Sequence, residues 1–301
     1  GKIRIIQLEG NDALSDKRIK RRMKKTNEKG KLSEFFRTKK FVNDEYESDK
    51  DKLLEKYGEL GYRDAVITYD SIASNRDENT VDVWLNIDEG NQYFIRNIDW
   101  VGNTVYTSDQ LSAMLGMKRG DIYNQKKLGD RITGDEDAIT KMYYNQGYVM
   151  CAVVPVEANI VEDSIDLEIR FAEGPQATIN RVLIHGNDRV YENVVRRELY
   201  TRPGDIFSYD NFERSYRAVA NMGHFEQTSI NPDVQPDPSN GTVDIDWQLE
   251  SKGNDQVELS MGWGQTGLIG RVALKFTNFS MYNLFHKSDN YRLFLPQGDG
   301  Q

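Results

Sequence analysis

A single cysteine, Cys151, stands in 301 residues. No intrachain disulfide can form, and neither a multi-thiolate zinc site nor a dithiol redox pair is available. Oxidising and reducing compartments both remain open. Long apolar runs are missing as well: the longest, Val149–Val154, is far short of the roughly 18 residues a membrane-crossing helix needs. No charged-then-apolar leader opens the chain, so no helical span is expected, and any signal peptide is expected to have been removed. Positive charge is in deficit, 39 Lys and Arg against 48 Asp and Glu giving −9, which argues against a bulk field drawing the chain onto nucleic acid. His185, His224 and His286 are widely separated and form no H-x-x-x-H pair, so no metal, cofactor or nucleophilic constellation is expected and the chain does not read as an enzyme. With 38% hydrophobic and 29% charged residues the chain is polar, yet its aromatic and Val/Ile content fits two or three folded domains rather than disorder.

What the sequence does contain is a repeat. The pattern Ile-x-x-apolar-x-apolar-x-Gly-Asn occurs at Ile3 to Asn11, Ile95 to Asn103 and Ile179 to Asn187, its Gly-Asn pairs 92 and 84 residues apart. Apolar residues at helical spacing follow, such as Leu111, Met114 and Leu115, or Val194, Val195 and Leu199, and predict a short helix after each Gly-Asn turn. Gly120-Asp121-Ile122-Tyr123-Asn124 and Gly204-Asp205-Ile206-Phe207-Ser208 then place Asn124 and Ser208 as N-caps of a second helix. The first copy offers Phe41-Val42-Asn43 there, after an insertion of 11 residues relative to the second copy. Gly61-Tyr62, Gly147-Tyr148 and Gly223-His224 suit left-handed helix ends. Two strands close each copy, the last alternating strictly: Val81, Val83, Leu85, Ile87; Ile165, Leu167, Ile169, Phe171; Val243, Ile245, Trp247, Leu249. Turns at Asp77-Glu78-Asn79, Glu162-Asp163-Ser164 and Ser239-Asn240-Gly241 precede them.

Each copy therefore reads β-α-α-β-β, and the fold class is α+β. The domains are 1–93, with the insert, then 94–177 and 178–252. Residues 253–301 differ in kind. Val257, Leu259, Met261 and Trp263 alternate with polar or glycine residues, Val272, Leu274 and Phe276 do likewise, and Tyr291–Leu295 is a third run. Gly262-Trp263-Gly264-Gln265-Thr266-Gly267 fits G-x-G-x-x-G, but a period-two pattern follows it instead of the helix whose N-terminus a dinucleotide needs. A glycine-weakened hairpin is the better reading. Asp135-Glu136-Asp137 lacks the glycine and closing glutamate of a calcium loop and reads as a solvated helix face or helix start.

The tandem β-α-α-β-β array, with Gly-Asn after the first strand and Gly-Tyr before the second, resembles POTRA (polypeptide-transport-associated) domains. The strand of Val257 to Gly264, with Asn278-Phe279 and Asn283-Leu284-Phe285, resembles the opening strands of the barrel in the BamA family of outer-membrane assembly proteins. The resemblance implies the last three POTRA domains of a larger parent, followed by antiparallel strands of a truncated transmembrane β-barrel, since two or three strands cannot close a barrel in lipid. It implies the Gram-negative outer membrane with the POTRA domains in the periplasm, and assembly and insertion of β-barrel proteins. Its partners would be unfolded outer-membrane clients, periplasmic lipoproteins of an assembly complex and outer-membrane lipid, with no nucleic acid. The alternatives are a two-partner-type secretion transporter and, from a different class, a soluble multi-domain binding module.

Three sets of residues are candidate sites. The resemblance makes the strands after Gly61-Tyr62 and Gly147-Tyr148 exposed edges able to take an added strand: Ala65, Val66, Ile67 and Thr68 within 65–72, and Val153 and Val154 within 149–156. Asp64, Asp70 and Pro155 would instead blunt those edges. Arg196, Arg197 and Glu198 resemble the segment through which the last POTRA domain meets a lipoprotein partner, the alternative being an ordinary i, i+4 ion pair. Finally, residues 17–40 hold 12 Lys and Arg and two acids. This stretch, with Arg21, Arg22, Lys24, Lys25, Lys29 and Lys31, reads as a solvated basic face or as a dock for an acidic partner or membrane phosphates.

Overall fold

The computed structural model describes residues 1–26, 40–252, 256–264 and 267–275. The chain divides into two compact units, Gly1–Thr140 with Ala152–Ala172, and Lys141–Cys151 with Glu173–Gln301.

The first unit contains two sheets built on one plan. β1 (Lys2–Glu9) lies parallel to β3 (Thr80–Asp88), and β2 (Val66–Asn75) lies antiparallel on the other side of β3. β4 (Phe94–Val101), β5 (Ala152–Val161) and β6 (Ser164–Ala172) repeat the arrangement, in the order β4-β6-β5. The last strand of each copy is thus the central one, which explains its strict alternation: Val81, Val83, Leu85 and Ile87 are all buried. They pack with Ile19 of α1 (Asp16–Arg22) and with Tyr46, Leu53 and Tyr57 of α2 (Asn43–Glu59) in one core. In the second unit β7 (Thr178–His185), β9 (Thr242–Gln248) and β8 (Asn231–Asp237) form the third such sheet. Its core joins Val243, Ile245 and Trp247 to Val194 and Val195 of α6 (Glu192–Glu198) and Val219 of α7 (Tyr209–Asn221).

The Gly-Asn pair has one structural cause in all three copies. Gly10, Gly102 and Gly186 have φ of 78°, 83° and 80°, and a Cβ on them would fall 2.0, 2.4 and 1.7 Å from the carbonyl oxygens of Ile87, Phe171 and Leu249. Only glycine fits where the first strand ends against the end of the central one. The asparagine then closes the turn, Asn11, Asn103 and Asn187 each donating its Nδ2–H to the carbonyl three residues on, at 2.8, 2.9 and 2.8 Å.

Several expectations shift. Asn124 and Ser208 do cap, accepting from the N–H of Lys127 and Asn211, but in the first copy Val42 is the N-cap and Asn43 lies inside α2. The second helix of the middle copy is not continuous: α4 (Gln125–Gly129) runs into a π-helical turn, Asp130–Gly134, and α5 (Ile139–Asn145) restarts after a break. Asp135 and Asp137, expected on a solvated helix face or helix start, lie in that break and ion-pair with Arg131 at 3.1 and 2.8 Å. Arg131 in turn donates to the Met114 carbonyl near the end of α3 (Ser108–Leu115), so the acidic pair orients a helix clamp. Ala65 precedes β2, its N–H turned to the Tyr62 carbonyl. β5 begins at Ala152, three residues later than expected, because Cys151 N–H still closes a turn on Tyr148.

After the third sheet, β10 (Gln256–Gly264) and β11 (Gly267–Lys275) pair antiparallel. Val257, Leu259, Met261 and Trp263 lie in β10, and a barrel beyond this hairpin is not evident. The third run, Tyr291–Leu295, lies outside the described residues, as do Lys29 and Lys31.

Candidate binding surfaces

The sheet order leaves β2 and β5 as outer strands. A strand in that position presents unpaired backbone donors and acceptors. Their outward side chains are apolar to an unusual degree: Val66, Tyr69 and Ile72 on β2 and Val154, Ile160 and Val161 on β5 are all exposed, Tyr69 at 62% and Val154 at 53%. Ile67 and Val153 are half-buried and Thr68 is exposed. The charges expected to blunt these edges are already engaged. Lys50 Nζ lies 2.8 Å from Asp70, which also accepts from the Tyr46 hydroxyl, and this bonding with Lys50 holds the Asp70 carboxyl below the usual range. Asp64 accepts from the Tyr93 hydroxyl at 2.7 Å and pairs with Arg63. Pro155 does lie in β5, opposite Ile169. β8 carries two prolines, Pro232 and Pro236, so the third sheet's edge is the poorer template.

The opposite outer strands, β1, β4 and β7, carry an isolated bridge at their start. Lys40, Ile122 and Ile206 bridge antiparallel to Lys2, Phe94 and Thr178, the first residues of these strands.

On α6, Arg196 turns back onto its own domain, donating to Glu192 and, at 3.0 Å, to the Val182 carbonyl. The i, i+4 ion pair is thus Glu192–Arg196. Arg197 instead pairs with its neighbour Glu198 at 3.4 Å, and both side chains stay largely in solvent. The three residues share one short helix, and the side chains of Arg196, Arg197 and Glu198 are all partly in solvent, at 41%, 59% and 43%. In the basic stretch, Arg21, Arg22, Lys24 and Lys25 are exposed around the buried Met23.

Two recurrent side-chain pairs escaped the sequence reading. Arg4, Arg96 and Arg181 on the first strand of each copy reach Asp82, Asp166 and Asp244 on the central strand, with Nε–O distances of 2.8, 2.7 and 3.0 Å. In each case the arginine hydrogen bond holds the aspartate below the usual carboxylate range. In addition the Tyr57 hydroxyl donates to Glu89 and the Tyr143 hydroxyl to Glu173, both at 2.8 Å. Both tyrosines sit four residues before the helix-ending glycine, and each meets the tyrosine after that glycine edge-on. Superposing the copies on their Gly-Asn and Gly-Tyr pairs would have exposed both sets.

Those glycines also serve the next segment. The Tyr93 N–H donates to the Gly61 carbonyl at 2.8 Å, and a Cβ on Gly61 would come within 2.8 Å of Ile122. In the second unit the Ala177 N–H donates to Gly147 at 2.8 Å, and the corresponding Cβ would come within 2.7 Å of Ile206. Between the first two sheets the joint is further tied by Arg63–Glu157 at 2.6 Å and by the Tyr123 hydroxyl on Glu157.

Among the described residues no group of three His, Cys, Asp or Glu side chains is placed to hold a metal, and no helix is long and apolar enough to cross a membrane. Compared with known proteins, residues 1–90, 93–174 and 177–252 each match the family model of POTRA, surface antigen variable number repeat. The chain is 26% identical to the outer membrane protein assembly factor BamA of Neisseria meningitidis serogroup B, over 89% of this chain and 33% of that protein. It is 25% identical to the assembly factor BamA of Neorickettsia risticii, over 95% of this chain and 37% of that one, so it spans about a third of their length. In fold it is similar to the crystal structure of Haemophilus influenzae BamA POTRA domains 3–5, with a TM-score of 0.67 and 21% identity, covering 83% of this chain and 96% of the other.

Proposed function

The chain belongs to the POTRA family, three times over, and on that footing we propose that it is the periplasmic part of an outer-membrane β-barrel assembly factor, leading into its first barrel strands. The observation that carries this reading is the pair of outer strands, β2 and β5, with exposed apolar side chains along unpaired edges. An unfolded barrel protein arrives as extended, alternating segments, and such a segment adds to a sheet edge through backbone hydrogen bonds while its apolar side chains meet Val66, Tyr69 and Ile72, or Val154 and Ile160. About four such bonds at about 0.5–1.5 kcal/mol each give roughly 2–6 kcal/mol before ordering costs. Binding that weak suits a relay, which must release what it receives. The clients' own closure supplies the drive, since a closed barrel satisfies backbone groups that are costly unpaired in lipid.

Arg196, Arg197 and Glu198 form the docking surface for a periplasmic lipoprotein partner. Glu198→Lys would set like charges together and weaken that docking. β10, with Val257, Leu259, Met261 and Trp263, is the first barrel strand, its glycines easing the opening of the edge. No catalytic chemistry is assigned to any residue.

Depleting the full-length parent in its own cell and measuring folded, heat-modifiable barrels across the outer membrane tests the reading. Broad loss of folded barrels is expected. Loss of one exported protein with barrels intact would make the parent a secretion transporter, and no change in either would leave a binding module.

A further inference from the structure

Beside α1 the surface opens into a cavity of about 520 Å³ lined by Arg18, Arg21, Arg22, Lys24 and Lys56, with Leu14 and Leu60 as its apolar part. Like charges gathered this closely repel one another. Glu59 balances Lys56 and lies 3.7 Å from Arg22, whereas Arg18 and Arg21 have no carboxylate partner among the described residues. The cations nevertheless stand on a fixed support. Ile19 and Met23, on the other face of the same segment, are fully buried. Just beyond, the buried Asp49 of α2 accepts from the backbone N–H of both Lys25 and Thr26 at 2.8 Å. The fold therefore spends a buried carboxylate on holding this basic segment in place, and a pre-organised cluster loses little freedom on binding.

We propose that this cavity binds a phosphate-bearing anion. Three arginines favour phosphate, because the guanidinium fork matches its oxygens two at a time. The cavity lies within the size range of small-ligand sites and exceeds a bare phosphate, and Leu14 and Leu60 would meet the carbon skeleton that the phosphate carries. A soluble organic phosphate and a phospholipid headgroup share this chemistry. The inference rests on the geometry of the first domain and is independent of the assembly reading.

The test uses the whole chain at low ionic strength, titrated by calorimetry with inorganic pyrophosphate and by co-sedimentation with phosphatidylglycerol or phosphatidylcholine vesicles. Saturable pyrophosphate binding is expected, weakened about tenfold or more in R18Q/R21Q/R22Q and unchanged in the charge-matched control K118Q/R202Q/R217Q. Glu59→Gln removes the competing carboxylate and should tighten binding about threefold, a gain that a merely misfolded variant would not show. Cavity-dependent binding to phosphatidylglycerol vesicles as well would name a lipid headgroup as the source, and binding to pyrophosphate alone a soluble one. Absence of saturable binding to either probe, or equal loss in the cavity variant and the control, would overturn the proposal.

Discussion

Gly102 and Gly120 have nearly the same left-handed backbone, φ of 83° and 88°, but differ in what surrounds them. A Cβ on Gly102 would lie 2.4 Å from the Phe171 carbonyl oxygen, while one on Gly120 meets nothing within 4 Å. Alanine at either site carries the backbone cost of about 1 kcal/mol or more; only Gly102→Ala must also push two strands apart. Its urea midpoint should therefore fall further than that of Gly120→Ala, by about 2 kcal/mol in stability. Equal losses would mean that Gly102 is needed for its φ alone. Cys151 gives a second prediction. Burial, followed by the neighbouring charge of Glu173, pushes its thiol up to about 12, and the thiolate is the form that reacts. Iodoacetamide at pH 8.5 should leave the folded chain unlabelled over minutes and label it fully in denaturant. Rapid native labelling would contradict that burial. The raised thiol also sets a sign: its contribution to stability is intact below the unfolded thiol pKa and is lost as pH climbs from about 9 toward 12. Sequence alone isolated the cysteine and the glycines but could not tell a crowded glycine from an open one, because the crowding atom lies about 70 residues away.

The alternating central strands were plain in the sequence because one face of each is buried along its whole length. The broken helix of the middle copy was not. A π turn and a break at Asp135 keep the same apolar spacing, and the Arg131 pairs that stabilise the break join residues whose types also suit a solvated helix. The Arg–Asp pairs across each sheet were equally hidden, since such residues on exposed strand faces ordinarily mean only solvation. Their effect has a defined pH dependence. With Asp166 held below the usual range by Arg96, its contribution is complete above the unfolded carboxylate value near 4 and fades as pH drops through the lower folded value. The stability gap between the native chain and Arg96→Gln should therefore be constant from pH 7 to about 5 and close toward pH 2, as read by urea unfolding, and high salt should narrow it. A gap independent of pH would assign the loss to packing of the arginine stem. For the outer strands, Ile72→Lys and Val154→Lys place charge on side chains that are already exposed. They should leave the melting temperature within about 2 °C of the native value. Cross-linking to an unfolded barrel client should nevertheless fall severalfold, and undiminished cross-linking would move client capture elsewhere.

Three separately closed sheets raise the question of whether the chain unfolds as one body. The first and third have distinct buried clusters, one around Val83 and Tyr57 and one around Ile245 and Trp247, and arrays of repeats tend to gain stability unit by unit plus a term for each joint. Trp247, fully buried at the centre of the third cluster, is the place to test this. Trp247→Ala removes a large side chain from a packed core and should cost about 3–5 kcal/mol, a substantial part of what a small domain has to lose. If the sheets are energetically separate, hydrogen exchange should accelerate in β7, β8 and β9 while the amides of β1 and β3 keep their native protection. If protection falls by the same factor in the first sheet, the joints at Gly61 and Gly147 couple the array into one cooperative unit. The joints argue for an intermediate outcome at the middle sheet. Gly147 and Gln146 are tied by hydrogen bonds to Ala177 and Gln176, and Asn145 to Ser208 and Asp210, so loss of the third core should first be felt at α5. A graded pattern, strongest in β9, partial at α5 and absent in β3, is the expected result. It would also suit a relay, in which each domain has to yield a passing segment without unfolding its neighbours.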